Sequence, residues 1–231
     1  MASAKRLLKE RANVARNPIP YVTFQDDADD DSMTDASSDM NEWRFILTLD
    51  PAHDSLDEAA QIGKAADSPY CHPPPSSGKK NGGLLSGVTR AAKSSKKSSN
   101  DKAGGGPSST TGGPVYFAFQ LDFPPTYPFK PPTITVLSSS YHPNIKKDTG
   151  EICDNVLTGD GWGPTINIRK LCARLRKFLC DPDPQHPLEE YIAQLLMEKP
   201  GEYASAAFKH AAEFATRSKA VEAMAKGKQK K

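Results

Sequence analysis

The chain has 231 residues, of which 37% are hydrophobic and 25% charged, which suits one globular domain of ordinary size with residues to spare. A formal net charge of +2 gives no overall electrostatic reason to bind nucleic acid. No apolar run approaches the length of a membrane span, and the N-terminus lacks the apolar core of a signal peptide. The four cysteines show no C-x-x-C spacing, so we expect no metal site and a reducing compartment, the cytoplasm or the nucleus.

The first predicted element is an amphipathic helix. Leu7, Leu8 and Val14 recur at helical spacing on one face, and Ser3 is predicted to cap its start. Pro18 is expected to end it, because the residue before a proline avoids the α region. The polar side of this helix carries a basic cluster, namely Lys5, Arg6 and Lys9.

The next part of the chain predicts an antiparallel sheet interrupted by two polar segments. Residues 26–39 hold seven aspartates and predict a solvated acidic loop. Runs rich in β-branched and aromatic residues predict strands at 43–49, 115–121 and 133–137 within a meander of four short strands. Residues 51–112, rich in Pro, Gly, Ser and Lys, predict a disordered insertion between two neighbouring strands, which a sheet can tolerate because loop-closure entropy grows slowly with length.

An irregular, turn-rich stretch from Tyr141 to Pro164 then carries Cys153, and helices follow it. A cysteine in such a segment indicates reactivity, and the amide of Asn144 could donate a hydrogen bond to an oxyanion. Asn167 is predicted to cap a helix on whose apolar stripe Cys172 is most simply a core residue. Further helices are predicted over 188–198 and from 202 to about 224, with residues 219–231 assigned to a basic tail. The fold class is therefore α+β.

Several motifs resemble, in order and spacing, those of the ubiquitin-conjugating enzymes. They are Tyr127-Pro-Phe-Lys-Pro-Pro132, Tyr141-His-Pro-Asn-Ile145, Gly150-Glu-Ile-Cys153, Trp162, Asp181-Pro-Asp-Pro184 and Pro187-Leu188. The resemblance covers roughly residues 3–50 and 113–218 and implies the fold of that family. The first helix and the segment Gln185-His186-Pro187 look like the branch that serves HECT and RBR ligases, whereas the Gly150–Cys153 stretch is similar to the peroxisomal branch.

The resemblance implies that Cys153 accepts ubiquitin, or a ubiquitin-like modifier, as a thioester from the activating enzyme. It needs no cofactor of its own, since ATP is used upstream. Asn144 would stabilise the oxyanion or, alternatively, only brace its loop, and His142 and Pro143 would fix the turn. The aspartates that help lysine attack in lysine-reactive members are replaced here by Asn155 and His186, so we expect discharge to ligase cysteines. Asp154 is a carboxylate that could substitute for them.

The resemblance also implies partners. The ligase-binding surface (HECT, RBR or RING type) would combine Lys5, Arg6 and Lys9 with Phe129, Gly163 and Pro164. Phe129 is either an exposed anchor or a core residue. A monomer is expected. The alternative function is a non-catalytic binding module or adaptor of the same fold.

Overall fold

The computed structural model describes residues 2–25, 41–53, 65, 68–71, 112–152 and 161–227. These ranges contain a first helix, a four-stranded sheet and a C-terminal set of helices, so the predicted α+β class is confirmed. The elements are α1 (Ala2–Arg16), β1 (Val22–Phe24), β2 (Glu42–Leu49), β3 (Val115–Asp122), β4 (Thr133–Val136), α2 (Ile168–Cys180), α3 (Glu190–Glu198), α4 (Pro200–Phe214) and α5 (Arg217–Lys226).

The four strands form one antiparallel meander in chain order. Strand β1, which pairs Thr23 with Ile46, was not located by the sequence because it is only three residues long. Strands β2 and β3 pair over eight residues each, with Phe45 opposite Phe119. The long predicted interruption between β2 and β3 therefore does not disturb their register.

One face of the sheet forms the main core. Alternate residues of the two central strands, among them Phe45, Leu47, Phe117 and Phe119, are buried there with the apolar face of α2. The side chain of Asn167 accepts a hydrogen bond from the Lys170 amide and caps α2, as predicted. The first helix differs from its prediction, because Ser3 lies inside α1 and is buried rather than standing before the helix as a cap.

The opposite face of the sheet is covered by α5, which corrects the prediction of a basic tail over 219–231. Ala220 and Met224 are buried against Ile46 and Ala118, and Arg44 donates a hydrogen bond to the Met224 carbonyl at 3.1 Å. The single helix predicted over 202–224 is also wrong. It is divided between α4 and α5 at Ala215 and Thr216, where the Thr216 side chain accepts from the Lys219 amide and starts a new helix.

The predicted insertion over 51–112 is too long at its N-terminal side. Tyr70 and Cys71 are 1% and 0% exposed and belong to the main core, as does Ala65. The Gly112 amide donates to the Cys71 carbonyl at 2.8 Å, so the two ends of the remaining segment lie side by side. Residues 72–111, and the acidic loop predicted over 26–39, lie outside the described residues.

Candidate active site

The turn Tyr141–Ile145 is built around a buried histidine. His142 is 1% exposed, and its Nδ1 accepts a hydrogen bond from the Asn144 amide at 3.1 Å. Its Nε2 lies 3.1 Å from the Phe178 carbonyl and therefore carries the proton that it donates there. Burial lowers the pKa of His142 to about 4. A neutral ring with both nitrogens engaged braces the turn, and it has no free nitrogen with which to act as a general base.

The side chain of Asn144 is also fully engaged. Its Nδ2 donates to the carbonyls of Asp183 and His186 at 2.6 and 3.0 Å, and its Oδ1 accepts from the Asp183 amide at 2.9 Å. Three hydrogen bonds from one buried amide tie the turn to the loop that follows α2. This geometry is that of a brace, and an oxyanion role, which stays a prediction, would require one Nδ2 hydrogen to be released.

A short hairpin connects this turn to the position of the cysteine. Ile145 and Ile152 form an antiparallel bridge, and within it the Gly150 amide donates to the Lys146 carbonyl at 2.7 Å. Gly150 has φ +70°, a left-handed conformation that glycine adopts without steric cost. Asn144 directly precedes one bridge partner in the chain, and Cys153 directly follows the other. Cys153 itself, with Asp154 and Asn155, lies outside the described residues.

Tyr70, an aromatic residue predicted to lie in the insertion, contacts this turn. The Tyr70 hydroxyl donates to the Tyr141 carbonyl at 2.9 Å, and its ring lies parallel to that of His142 with centroids 6.4 Å apart. The ring of Phe178, on α2, also packs against His142, with centroids 4.6 Å apart. The signal that could have identified Tyr70 was the tetrapeptide Asp67-Ser-Pro-Tyr70, which stands apart from the low-complexity composition around it.

The loop between α2 and α3 is hydrogen-bonded to the turn. The Pro143 carbonyl accepts hydrogen bonds from the amides of Leu188 and Glu189, at 2.8 and 2.9 Å. His186 is exposed, and its Nδ1 lies 3.1 Å from a carboxylate oxygen of Asp183. The Gln185 amide and His186 hold the pKa of Asp183 below its usual value. Sequence reasoning singled out His186 but missed Asp183, which fixes its ring.

Trp162 belongs to a second surface, which it shares with the proline-rich loop before β4. Its Nε1 donates to the Pro128 carbonyl at 2.7 Å, and its ring lies 6.1 Å from that of Tyr127. Phe129, beside them, is 73% exposed, so the core-filling alternative for this residue is wrong. The exposed ring is available to a partner.

Helix α1 adjoins this second surface through Arg6. Its guanidinium pairs with Glu10 at 2.7 Å and reaches the Ile166 carbonyl at 3.5 Å. Burial, and then the charge of Glu10, raise the pKa of Tyr127 to about 12. The structure thus brings Arg6, Phe129 and the 163–164 turn to one side of the molecule. Lys5 and Lys9 are exposed on α1, whereas Arg6 is held by Glu10, a residue that sequence reasoning did not single out.

The remaining cysteines are not nucleophile candidates. Cys71, Cys172 and Cys180 are free thiols buried in the core. Burial raises the pKa of the Cys172 thiol to about 12, so it stays protonated at neutral pH. Across the described ranges, no group of three or more His, Cys, Asp or Glu side chains could hold a metal ion. No helix in the same ranges is long and apolar enough to cross a membrane.

Part of this arrangement is similar to a known protein family. Residues 105–211, which include the turn, the Cys153 position and the loop after α2, match the family model described as ubiquitin-conjugating enzyme. The matched segment, which is just under half of the chain, is similar to that family. The ubiquitin conjugating enzyme E2 B of Dictyostelium discoideum is 44% identical over 78 residues, which are 34% of this chain and 51% of that protein. The ubiquitin-conjugating enzyme E2-18 kDa of Drosophila melanogaster is 36% identical over 78 residues, 34% of this chain and 50% of its own.

The chain spans about half the length of these relatives, and the alignments cover about a third of this chain. A solved ubiquitin-conjugating enzyme E2 domain from Toxoplasma gondii aligns more widely, over 92% of this chain and 98% of its own, with a TM-score of 0.54 and 21% identity. At that identity the likeness concerns the fold alone. It confirms the fold of the ubiquitin-conjugating enzymes for the chain, including α1, β1 and β2, which precede the matched segment.

Proposed function

We propose that the chain is a ubiquitin-conjugating enzyme that carries ubiquitin, or a ubiquitin-like modifier, as a thioester on Cys153. The observation that carries this proposal is the antiparallel bridge between Ile145 and Ile152 within the family segment. The residue that precedes Ile145 is the braced Asn144, and the residue that follows Ile152 is Cys153. The three cysteines that the structure describes, Cys71, Cys172 and Cys180, are buried in the core, and Cys153 lies outside the described residues.

The proposed reaction is a pair of acyl transfers. The Cys153 thiolate attacks the carbonyl carbon of the thioester on the activating enzyme, and that enzyme's cysteine leaves as a thiolate. A ligase cysteine or a substrate lysine then attacks the new thioester, and Cys153 leaves in turn. One thioester is exchanged for another, so the first step is nearly balanced in energy and requires no cofactor bound to this chain.

We assign the two surfaces different roles within this function. The turn, hairpin and loop that adjoin the Cys153 position would orient the acyl group. The side that carries Arg6, Phe129 and Pro164 would receive the ligase, with Phe129 as its aromatic anchor. The HECT or RBR class is our proposal for that ligase, because Asn155 and His186 replace the carboxylates expected beside a lysine acceptor.

The test is a charging assay with purified activating enzyme, ATP and ubiquitin. We expect an adduct one ubiquitin larger that thiol reductant removes. Cys153→Ser should instead give a reductant-stable oxyester, because an alkoxide is a poorer leaving group than a thiolate. Cys172→Ser is the matched control and should charge normally. If the wild-type protein formed no adduct, the non-catalytic alternative would be correct; if Cys172→Ser abolished it in a folded protein, our choice of nucleophile would be wrong.

A further inference from the structure

A second polar site lies between the end of β4 and the last two helices. An open cleft of about 420 Å³, within the usual size of ligand-binding clefts, is lined by polar and aromatic side chains, namely Ser138, Ser139, Phe214, Lys219, Glu222 and Lys226. Neither the acyl-transfer chemistry nor the proposed ligase surface uses these residues. Glu222 is paired with Lys226, so the groups that suit an anion are the Ser139 hydroxyl and the Lys219 ammonium.

The groups of the cleft converge from separate elements. The hydroxyl of Ser139, in the loop after β4, lies 3.2 Å from Nε2 of His210 on α4. The His210 ring packs on Phe214, with centroids 4.7 Å apart, and Nζ of Lys219 from α5 lies 4.4 Å from the centroid of the same Phe214 ring. The Phe214 ring therefore contacts both the imidazole and the ammonium, and the imidazole is hydrogen-bonded to the Ser139 hydroxyl.

We propose that Ser139, His210 and Lys219 form a binding site for a phosphate-type dianion, either free phosphate or a small phosphate monoester. The Lys219 ammonium has three donors, and one of them is satisfied by the Glu213 carbonyl at 2.8 Å, which holds the group in place. Because Ser139 and His210 are hydrogen-bonded to each other, the pair with a neutral imidazole offers one further donor. Ser139 lies three residues before His142, so an anion bound here would contact the segment that leads into the braced turn.

The charges around His210 favour an anion over a cation. Burial lowers the pKa of His210, the Glu213 carboxylate opposes this shift, and Lys147 and Lys219 lower the pKa further. The remaining charged groups of the cleft are Lys226 and Glu222, which form an ion pair at 2.5 Å. The ring centroid of Tyr141, a neutral phenol, lies 6.1 Å from that of His210. A bound dianion would relieve the repulsion between His210 and the two lysines, so its binding should raise the pKa of His210.

The experiment is a titration of the full chain with inorganic phosphate, followed by NMR of the His210 ring, with sodium chloride at matched ionic strength as the reference. We expect a saturable shift in the low millimolar range and an upward move of the His210 titration midpoint. Lys219→Gln should weaken binding by about fivefold or more, as loss of a charged donor at a partly exposed site implies. In His210→Gln, the Ser138 and Ser139 amide signals report the same weakening. Lys177→Gln, an exposed lysine on α2, is the matched control and should change nothing.

A second arm uses O-phosphoserine to separate the two sources of the dianion. Saturation by both probes indicates a site for monoesters, and saturation by phosphate alone indicates a site for the free anion. The proposal is overturned if neither probe gives a saturable shift, if chloride reproduces the shift, or if Lys177→Gln weakens binding as much as Lys219→Gln. Because the readout does not involve thioester formation, the result is independent of the function proposed above.

Discussion

Replacing Asn144 by alanine separates the two roles considered for this residue. The substitution removes two donors and one acceptor, and leaves the carbonyls of Asp183 and His186 and the Asp183 amide without their partners. A lost hydrogen bond costs about 1 kcal/mol, and more when the stranded group is buried. Because Asp183 and His186 lie near the surface, water can satisfy part of this loss. We therefore expect Asn144→Ala to lower the free energy of unfolding by about 2–3 kcal/mol.

The assay is urea denaturation in parallel with single-turnover charging and discharge. Asn13→Ala, at an exposed asparagine of α1, is the control and should change stability by less than about 0.5 kcal/mol. If Asn144 braces the loop, stability and transfer rate should fall together. If instead Asn144→Ala kept wild-type stability while transfer slowed by about 100-fold, the loss expected for an oxyanion donor, the bracing argument would be refuted.

Four further predictions concern other parts of the molecule. Met224→Ala should destabilise the protein by about 2 kcal/mol and Val221→Ala, on the exposed side of the same helix, by far less; equal effects in urea denaturation would contradict the packing of α5. Deleting 72–111 should change stability by no more than about 1–2 kcal/mol, because Cys71 and Gly112 are already adjacent, whereas deleting 52–112 removes buried Tyr70 and should prevent stable folding. Burial lowers the pKa of His142 to about 4, so as pH falls the unfolded chain binds the proton before the folded protein does. The free energy of unfolding should therefore fall by up to about 3 kcal/mol between about pH 6.5 and pH 4. If His142→Asn showed the same dependence of stability on pH, this cause would be excluded. The charged protein should discharge faster to free cysteine than to free lysine, and lysine discharge that disappears in Asp154→Ala would identify that carboxylate as the missing acid.

Local patterns in the sequence were sufficient to predict the fold class, whereas the proposed catalytic role of Cys153 stays a prediction. Strong β-branched and aromatic alternation located β2 to β4, and Asn167 and Asp181 marked both ends of α2 because capping and proline chemistry act over a few residues. The order of the motifs from Tyr127 to Leu188 was sufficient to indicate the family. Each of these inferences depends on neighbours in the chain.

Only the tertiary structure decided what distant segments do for one another. The composition around Tyr70 placed this residue in an insertion. In the structure its hydroxyl donates a hydrogen bond to the Tyr141 carbonyl, and its ring stacks with that of His142. The charges of α5 suggested a tail, but its apolar residues Ala220 and Met224 pack against Ile46 and Ala118 on the second face of the sheet. From the sequence alone, the side-chain amide of Asn144 could either stabilise an oxyanion or brace its loop. Which partners it has depends on where the chain places Asp183 and His186, some forty residues further on, and hydrogen bonds across such a distance are set by packing rather than by local pattern.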